Sequence, residues 1–419
     1  MRRRVLALSL LALVVAAVLV VGGLWARSRR RPPPAPVLMP PTLPEPANNA
    51  WPTLIRAATA LDARSDEIDE AADRPWSEGS RETQRLLRDC GRDLKTAREA
   101  LAQECLQPRP KDIAQIFPEP RSLRNLSRLL VVAGRERERG RDADGAAAAY
   151  ADVLRVGTAV GRNGMVIHGL VGVAITAMAA ADLERCVGSG GMTEKALART
   201  ARELDRAVAE GVKPDEAMAV EYVLQRKCLN DMAAGLQPPS GRGARKWIVG
   251  AFLVEPARRE LDRNIGPTLE TLRTPYWQPV PSPPVYKTTL CQMFTVQPQG
   301  LRRKWAQRDA VLAGLQAHVA CQRYRLRHHA LPPTLQALAP AFLQVVPTDP
   351  FDGKPLKYRC AGGAYVLYSV AEDGKDDGGT ERFDTEAKRG DLIIWPWGRL
   401  TKPRPQANPP APAVPNTSP

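Results

Sequence analysis

Hydrophobic positions along the chain follow several rhythms, and each predicts a different kind of structure. From Val5 to Ala26 no charge interrupts the apolar run. As a helix it would reach roughly 33 Å at about 1.5 Å per residue, enough to cross the hydrocarbon core of a bilayer. It exceeds the apolar core of a cleaved secretory signal, and no A-x-A-like exit follows. The reading is an uncleaved anchor over residues 1–26 that meets lipid through residues 5–26, with a cleaved signal as the alternative. The next stretch, 27–48, contains "RPPPAPVLMPPTLPEP". Proline there removes backbone donors and favours extended geometry, which predicts a stalk.

From 49 to 275 the apolar spacing is helical, interrupted by Gly, Pro and polar turns. Leu126, Leu129, Leu130 and Ala133 share one face, and Ala146, Tyr150, Val153 and Leu154 lie near one side of the next helix. Small residues there permit close approach, with an aromatic filling the gap. This hairpin resembles half of a tetratricopeptide repeat, but one copy does not make an array. Residues 164–181, "GMVIHGLVGVAITAMAAA", carry no formal charge. They predict a core helix that is apolar on nearly every side, with a second membrane span as the alternative. Thr193 is placed to cap the following helix, and Pro214 to start the one after. Pro256 is expected to kink or divide the apolar-headed segment around it. Together these elements predict an all-α body.

Prolines in "TPYWQPVPSPPVY" then mark a boundary, and 276–300 reads as a linker. Beyond it Trp305, Leu312, Leu315, Val319 and Leu326 form one stripe of a long amphipathic helix. Three short β-rich runs follow, "PLKYRC", "AYVLYSV" and "DLIIW", with turns at Asp352–Gly353 and "CAGGA". A helix packed on a small antiparallel sheet is the expected product over 301–397, with a disordered tail over 398–419. The fold class is therefore α+β and multidomain: a transmembrane helix, an all-α body and a C-terminal α+β domain.

Charge changes this picture little. The net charge is +15, but seven arginines flank the apolar N-terminal run: Arg2, Arg3, Arg4, Arg27, Arg29, Arg30 and Arg31. The remainder is dispersed, without the basic face and interleaved aromatics of a nucleic-acid surface, so no nucleic-acid partner is expected. Seven cysteines include no C-x-x-C pair, which argues against a zinc or redox motif and for isolated buried thiols, with one or two disulfides as the alternative in an extracytoplasmic body. Of the four histidines, His168 reads as a hydrogen-bonded core residue. His318, His328 and His329 sit in no recognisable nucleophile or metal motif.

The segments "ALPPTLQAL", "PTDPFDGKPLKY", "YVLYSVAEDG" and "GDLIIW" occur in the order found in one known family. Through them the region 301–397 resembles the globular domain of the major pseudopilins of type II secretion systems. The N-terminus lacks that family's prepilin junction: there is no glycine–aromatic step and no glutamate five residues on. The resemblance implies a pilin-like module reused on an anchored protein and not a filament subunit. It also implies that the body lies outside the cytoplasm, in the periplasm.

In that family the loop after the second strand holds calcium. Carried over, the resemblance puts the ligands at Asp373 and Asp391, with backbone carbonyls near Val370 and Lys375. Gly390 stands where the family often has a further aspartate, and Asp376, Asp377 or Asp384 are the substitutes. Carboxylates and carbonyls on a flexible turn are the donors that calcium takes. The spacing after Asp373 does not fit an EF-hand, and a plain solvated Asp/Gly turn is the alternative. The expected function is a membrane-anchored, non-catalytic scaffold in the cell envelope that binds protein partners, associated with a secretion or pilus-like system. An envelope hydrolase with an unrecognised active site is the alternative.

Overall fold

The computed structural model describes residues 43–112, 119–234, 253–282, 284–294, 296–361, 363–379, 384 and 389–395. The expected anchor, most of the stalk, the loop "QPPSGRGAR" and the tail lie outside the described residues. The described chain is mostly helical, with one small three-stranded antiparallel sheet, an α+β fold at the coarse level.

The helical body opens with α1 (Trp51–Ala60), a 3₁₀ turn (Leu61–Arg64), α2 (Ser65–Asp73), α3 (Arg81–Asp89) and α4 (Gly91–Leu101). Asn49 fastens the start of α1 to the segment that follows α4. Its Oδ1 accepts the Leu106 and Trp51 N–H groups at 3.0 and 3.1 Å, and its Nδ2 donates to the Leu106 carbonyl at 2.7 Å.

The centre is a hairpin of α5 (Glu119–Arg139) and α6 (Ala143–Gly161) followed by α7 (Val166–Gly188). Asp142 caps α6 by accepting the Gly145 N–H at 2.8 Å. Leu126, Leu129, Leu130, Tyr150, Val153 and Leu154 are all buried, as their spacing implied. Gly134 has no side chain because the Tyr150 ring occupies the space: a Cβ there would lie 2.3 Å from it. Where α6 crosses α7 the backbones themselves meet, since a Cβ on Gly172 would fall 2.4 Å from the Gly157 carbonyl oxygen.

α7 contains the uncharged run, and among the described residues it is the helix long and apolar enough to cross a membrane. Within the fold, Ile175, Ala179 and Leu183 are buried in the same core as α5 and α6. α8 (Glu194–Glu210) is capped by Thr193, whose Oγ1 accepts the Ala196 N–H at 3.2 Å, and α9 (Pro214–Ala234) begins at Pro214.

α10 (Glu255–Arg273) carries Pro256 in its first turn and Pro267 inside it, and most of the apolar segment ahead of Pro256 lies outside the described residues. Proline in the first helical turn costs nothing because no intrahelical N–H bond is due there. The proline-rich stretch after α10 is fastened to it: Glu260 accepts the Lys287 and Thr288 N–H groups at 2.6 and 2.8 Å. Tyr286 and Cys291, the latter in the short helix α11 (Thr289–Phe294), are buried against α10 in a second core.

The long helix α12 (Pro298–His328) joins the two halves. Trp305 sits in the second core and donates its indole N–H to the Val212 carbonyl at 2.8 Å. Leu312, Leu315 and Val319 belong to the core of the helical body, whereas Ala313, Ala317, Ala320 and Cys321 face the sheet. The helix is therefore buried on two sides, and only Leu326 of the expected stripe is exposed. Gly314 lets the sheet come close, because a Cβ there would meet Ile394 at 2.4 Å.

The sheet has β1 (Lys357–Ala361), β2 (Ala364–Ser369) and β3 (Leu392–Trp395) in that spatial order, all antiparallel. The hairpin turn uses Gly363 with φ +78°, and the earlier turn uses Gly353 with φ +72°, a conformation that glycine reaches without strain.

Candidate metal centre

The loop after β2 is set by a residue that the sequence pattern did not flag. Asp349 is fully buried, and its carboxylate accepts three bonds: Ser369 Oγ–H at 2.8 Å, the Phe351 N–H at 2.9 Å and the Val370 N–H at 2.9 Å. Burial raises its pKa, and these three donors act in the opposite sense. Asp349 thus latches the turn 349–353 to the end of β2. The signal available in the sequence was an aspartate directly before proline, a common turn opener.

From that latch the chain turns through Ala371, which is left-handed at φ +54°, and Gly374 at φ +67°. Asp373 closes its own turn by accepting the Lys375 N–H at 3.2 Å. It borders an open cleft with Tyr276, Gln299, Arg303 and Glu372, near the start of α12. Val370 is buried, and its N–H goes to Asp349. Asp384 bridges to the Arg389 carbonyl through its own N–H at 2.8 Å.

Asp391 stands directly before β3 and is completely buried. Its Oδ2 accepts the Gly379 N–H at 2.7 Å, while its Oδ1 is buried without a hydrogen-bond partner. The Asp391 carboxyl is pushed up to about 6, first by burial and then by the charges of Asp376 and Asp377, against the backbone N–H groups of Gly379 and Asp377. Asp376 is held in place, since its Oδ1 accepts Tyr368 O–H at 2.8 Å and the Gly378 N–H at 3.0 Å. Gly390 has φ +96°, so an aspartate at that position would be strained.

Among the described residues, no group of three or more His, Cys, Asp or Glu is arranged to hold a metal ion. The chemistry is nevertheless that of a cation site in part. A buried carboxylate oxygen without a hydrogen-bond partner among the described residues is a costly arrangement that a hard cation would relieve. Of the expected ligands and their substitutes, Asp391 is buried, Asp376 and Asp377 are exposed, and Asp373 is engaged in its own turn, so they are not gathered into one site.

The histidines serve packing. Burial lowers the His168 pKa to about 4, and its Nδ1 accepts the Met165 N–H at 3.2 Å. His318 is fully buried and pushed down to about 3 by that burial. Its Nε2 meets the Glu184 carbonyl at 3.1 Å and its Nδ1 meets Tyr365 O–H at 2.5 Å. A carbonyl only accepts, so Nε2 carries the proton and Nδ1 accepts from the tyrosine. His318 thereby ties α7, α12 and β2 together. His328 and His329 are exposed at the end of α12, and His329 is its left-handed cap. None of the seven cysteines is in a disulfide; six are buried and Cys360 is half-buried.

In comparisons with protein families, curated proteins and solved structures, nothing matches this chain.

Proposed function

We propose that the protein is a membrane-anchored, non-catalytic scaffold of the cell envelope, with a helical body and a pilin-like module that together present a rigid surface to protein partners. The observation that carries this reading is α12, whose leucines line the helical core while its alanines line the sheet. A helix shared in this way couples both units into one body, as a scaffold needs. The apolar run 5–26 supplies the anchor, and the body faces the periplasm. The order of long helix, short 3₁₀ turn (Leu335–Leu338) and three antiparallel strands is the order that the pseudopilin resemblance implies. A calcium ion at Asp391, with Asp376 and Asp377 drawn toward it, would order the loop between β2 and β3 by neutralising these carboxylates.

The test is photo-crosslinking of the full chain in its native membranes, followed by identification of what is joined to it. Defined envelope partners, absent from a control with an unrelated protein on the same anchor, are expected. Recovery of the same proteins with both would overturn the scaffold reading.

A further inference from the structure

A cleft of about 630 Å³ lies between α3–α4 and the α5–α6 hairpin and ends at α8. That volume is within the range of ligand-binding clefts, roughly 300–1,000 Å³. Its floor is apolar, made by Leu87, Leu94, Leu130, Ala133 and Ala149. Its back wall is an ion-pair chain. Arg98 Nε donates to Asp152 Oδ2 at 2.7 Å, Arg155 donates to Asp152 Oδ1 at 3.1 Å, and Arg155 also grips Glu203 through two bonds of 2.5 and 2.8 Å.

Most rim charges are matched: Lys95 faces Glu99 at 3.9 Å, Arg137 faces Asp142 at 3.1 Å, and Glu136 is paired with Arg139. Two guanidinium groups are not used up. Arg98 spends only its Nε, and its two Nη atoms make no hydrogen bond among the described residues. Arg199, exposed on α8, makes no ion pair or hydrogen bond among the described residues, although its charge acts at longer range on Asp152 and Glu203. Both line the same cleft. A guanidinium fork matches a carboxylate in a planar, two-bond geometry. Glu99 and Glu136 on the rim disfavour a densely charged phosphate and offer acceptors to peptide N–H groups.

We infer that this cleft binds a peptide segment of a partner protein that carries carboxylates beside apolar side chains. The apolar side chains would cover the leucine floor, and a carboxylate would engage Arg98 and Arg199. This rests on the scaffold reading and gives its partner a chemistry.

The experiment pans a displayed library of random dodecapeptides against the purified full chain in detergent, then measures binding of the enriched peptides. Two variants serve as probes, Arg199→Glu and Ala102→Trp. Both positions are exposed, so each should keep the wild-type melting temperature while reversing the charge or filling the cleft. Enriched peptides should combine Asp or Glu with large apolar residues, and each variant should weaken them roughly tenfold or more, as loss of a charged hydrogen bond would. No enrichment, enrichment of basic peptides, or equal binding by both variants overturns the inference. If crosslinked partners are still recovered with both variants in native membranes, the scaffold reading stands and this cleft is not its site.

Discussion

Replacing Gly172 by alanine would press a methyl group into the backbone of the neighbouring helix. The added Cβ would lie 2.4 Å from the Gly157 carbonyl oxygen. A carbon–oxygen contact of this kind settles at about 3.3–3.6 Å, so α6 and α7 must part locally by roughly 1 Å. A gap of about 0.5–1 Å forfeits a quarter to a half of each dispersion contact across the crossing. Alanine's better helix propensity returns about 1 kcal/mol, so the net loss expected is about 1–3 kcal/mol, the range for overpacked cores. The same change at Gly300, in the first turn of α12, meets nothing within 4 Å. It should be neutral or stabilise by up to about 1 kcal/mol. Denaturant unfolding of the full chain in detergent, followed by far-ultraviolet circular dichroism, reads both shifts as midpoints at constant slope. The reasoning fails if Gly172→Ala is as stable as the unaltered protein, or if the two substitutions move the midpoint the same way.

Calcium should raise the melting temperature relative to a chelator, by roughly 2.7 kcal/mol of stability at a hundredfold excess over Kd. The rise should vanish in Asp391→Asn, shrink in Asp376→Asn and persist in Asp373→Asn; no rise in the unaltered chain removes the metal proposal. His168 and His318 have folded pKa values of about 4 and about 3, below the unfolded value near 6.5. The unfolded state therefore binds more protons in that window, and stability present above pH ~6.5 is lost as the pH falls, by at most about 1.4 kcal/mol per pH unit for each histidine. His318→Gln should flatten the slope of an acid titration of unfolding, and an unchanged slope would exclude His318 as its source. Thiol titration of the native chain should show Cys360 reacting first, with the six buried cysteines released on denaturation; fast reaction of several thiols would contradict their burial.

The helical body was readable because its apolar positions repeat with the helical period and each helix keeps one buried face. Thr193 and Pro214 announced their helix starts through the chemistry of first turns. Helix α12 was readable only in part. Its leucines form a visible stripe, but the face toward the sheet is made of Ala313, Gly314, Ala317 and Ala320, small residues that carry no hydrophobic signal. Pro256 was ambiguous because proline either breaks a helix or begins one, and only the neighbouring chain decides. In the loop, spacing located the acids but not their partners. Asp373 and Asp391 are matched along the sequence, yet a left-handed step at Ala371 and three glycines turn the chain so that Asp376 and Asp377 act on Asp391. Asp349 is distant in sequence from all of them, so its latch on Ser369 and Val370 follows from the tertiary fold alone.

Because α12 supplies a wall to both cores, force applied to the sheet is delivered to the helical body along a single rod. Pulling β3 away from α12 would strip Ile394 from Gly314 and draw on the same helix whose Leu312 and Leu315 line the other core. The molecule should therefore yield in one rupture under tension, as a strut does, and not in two steps as beads on a string would.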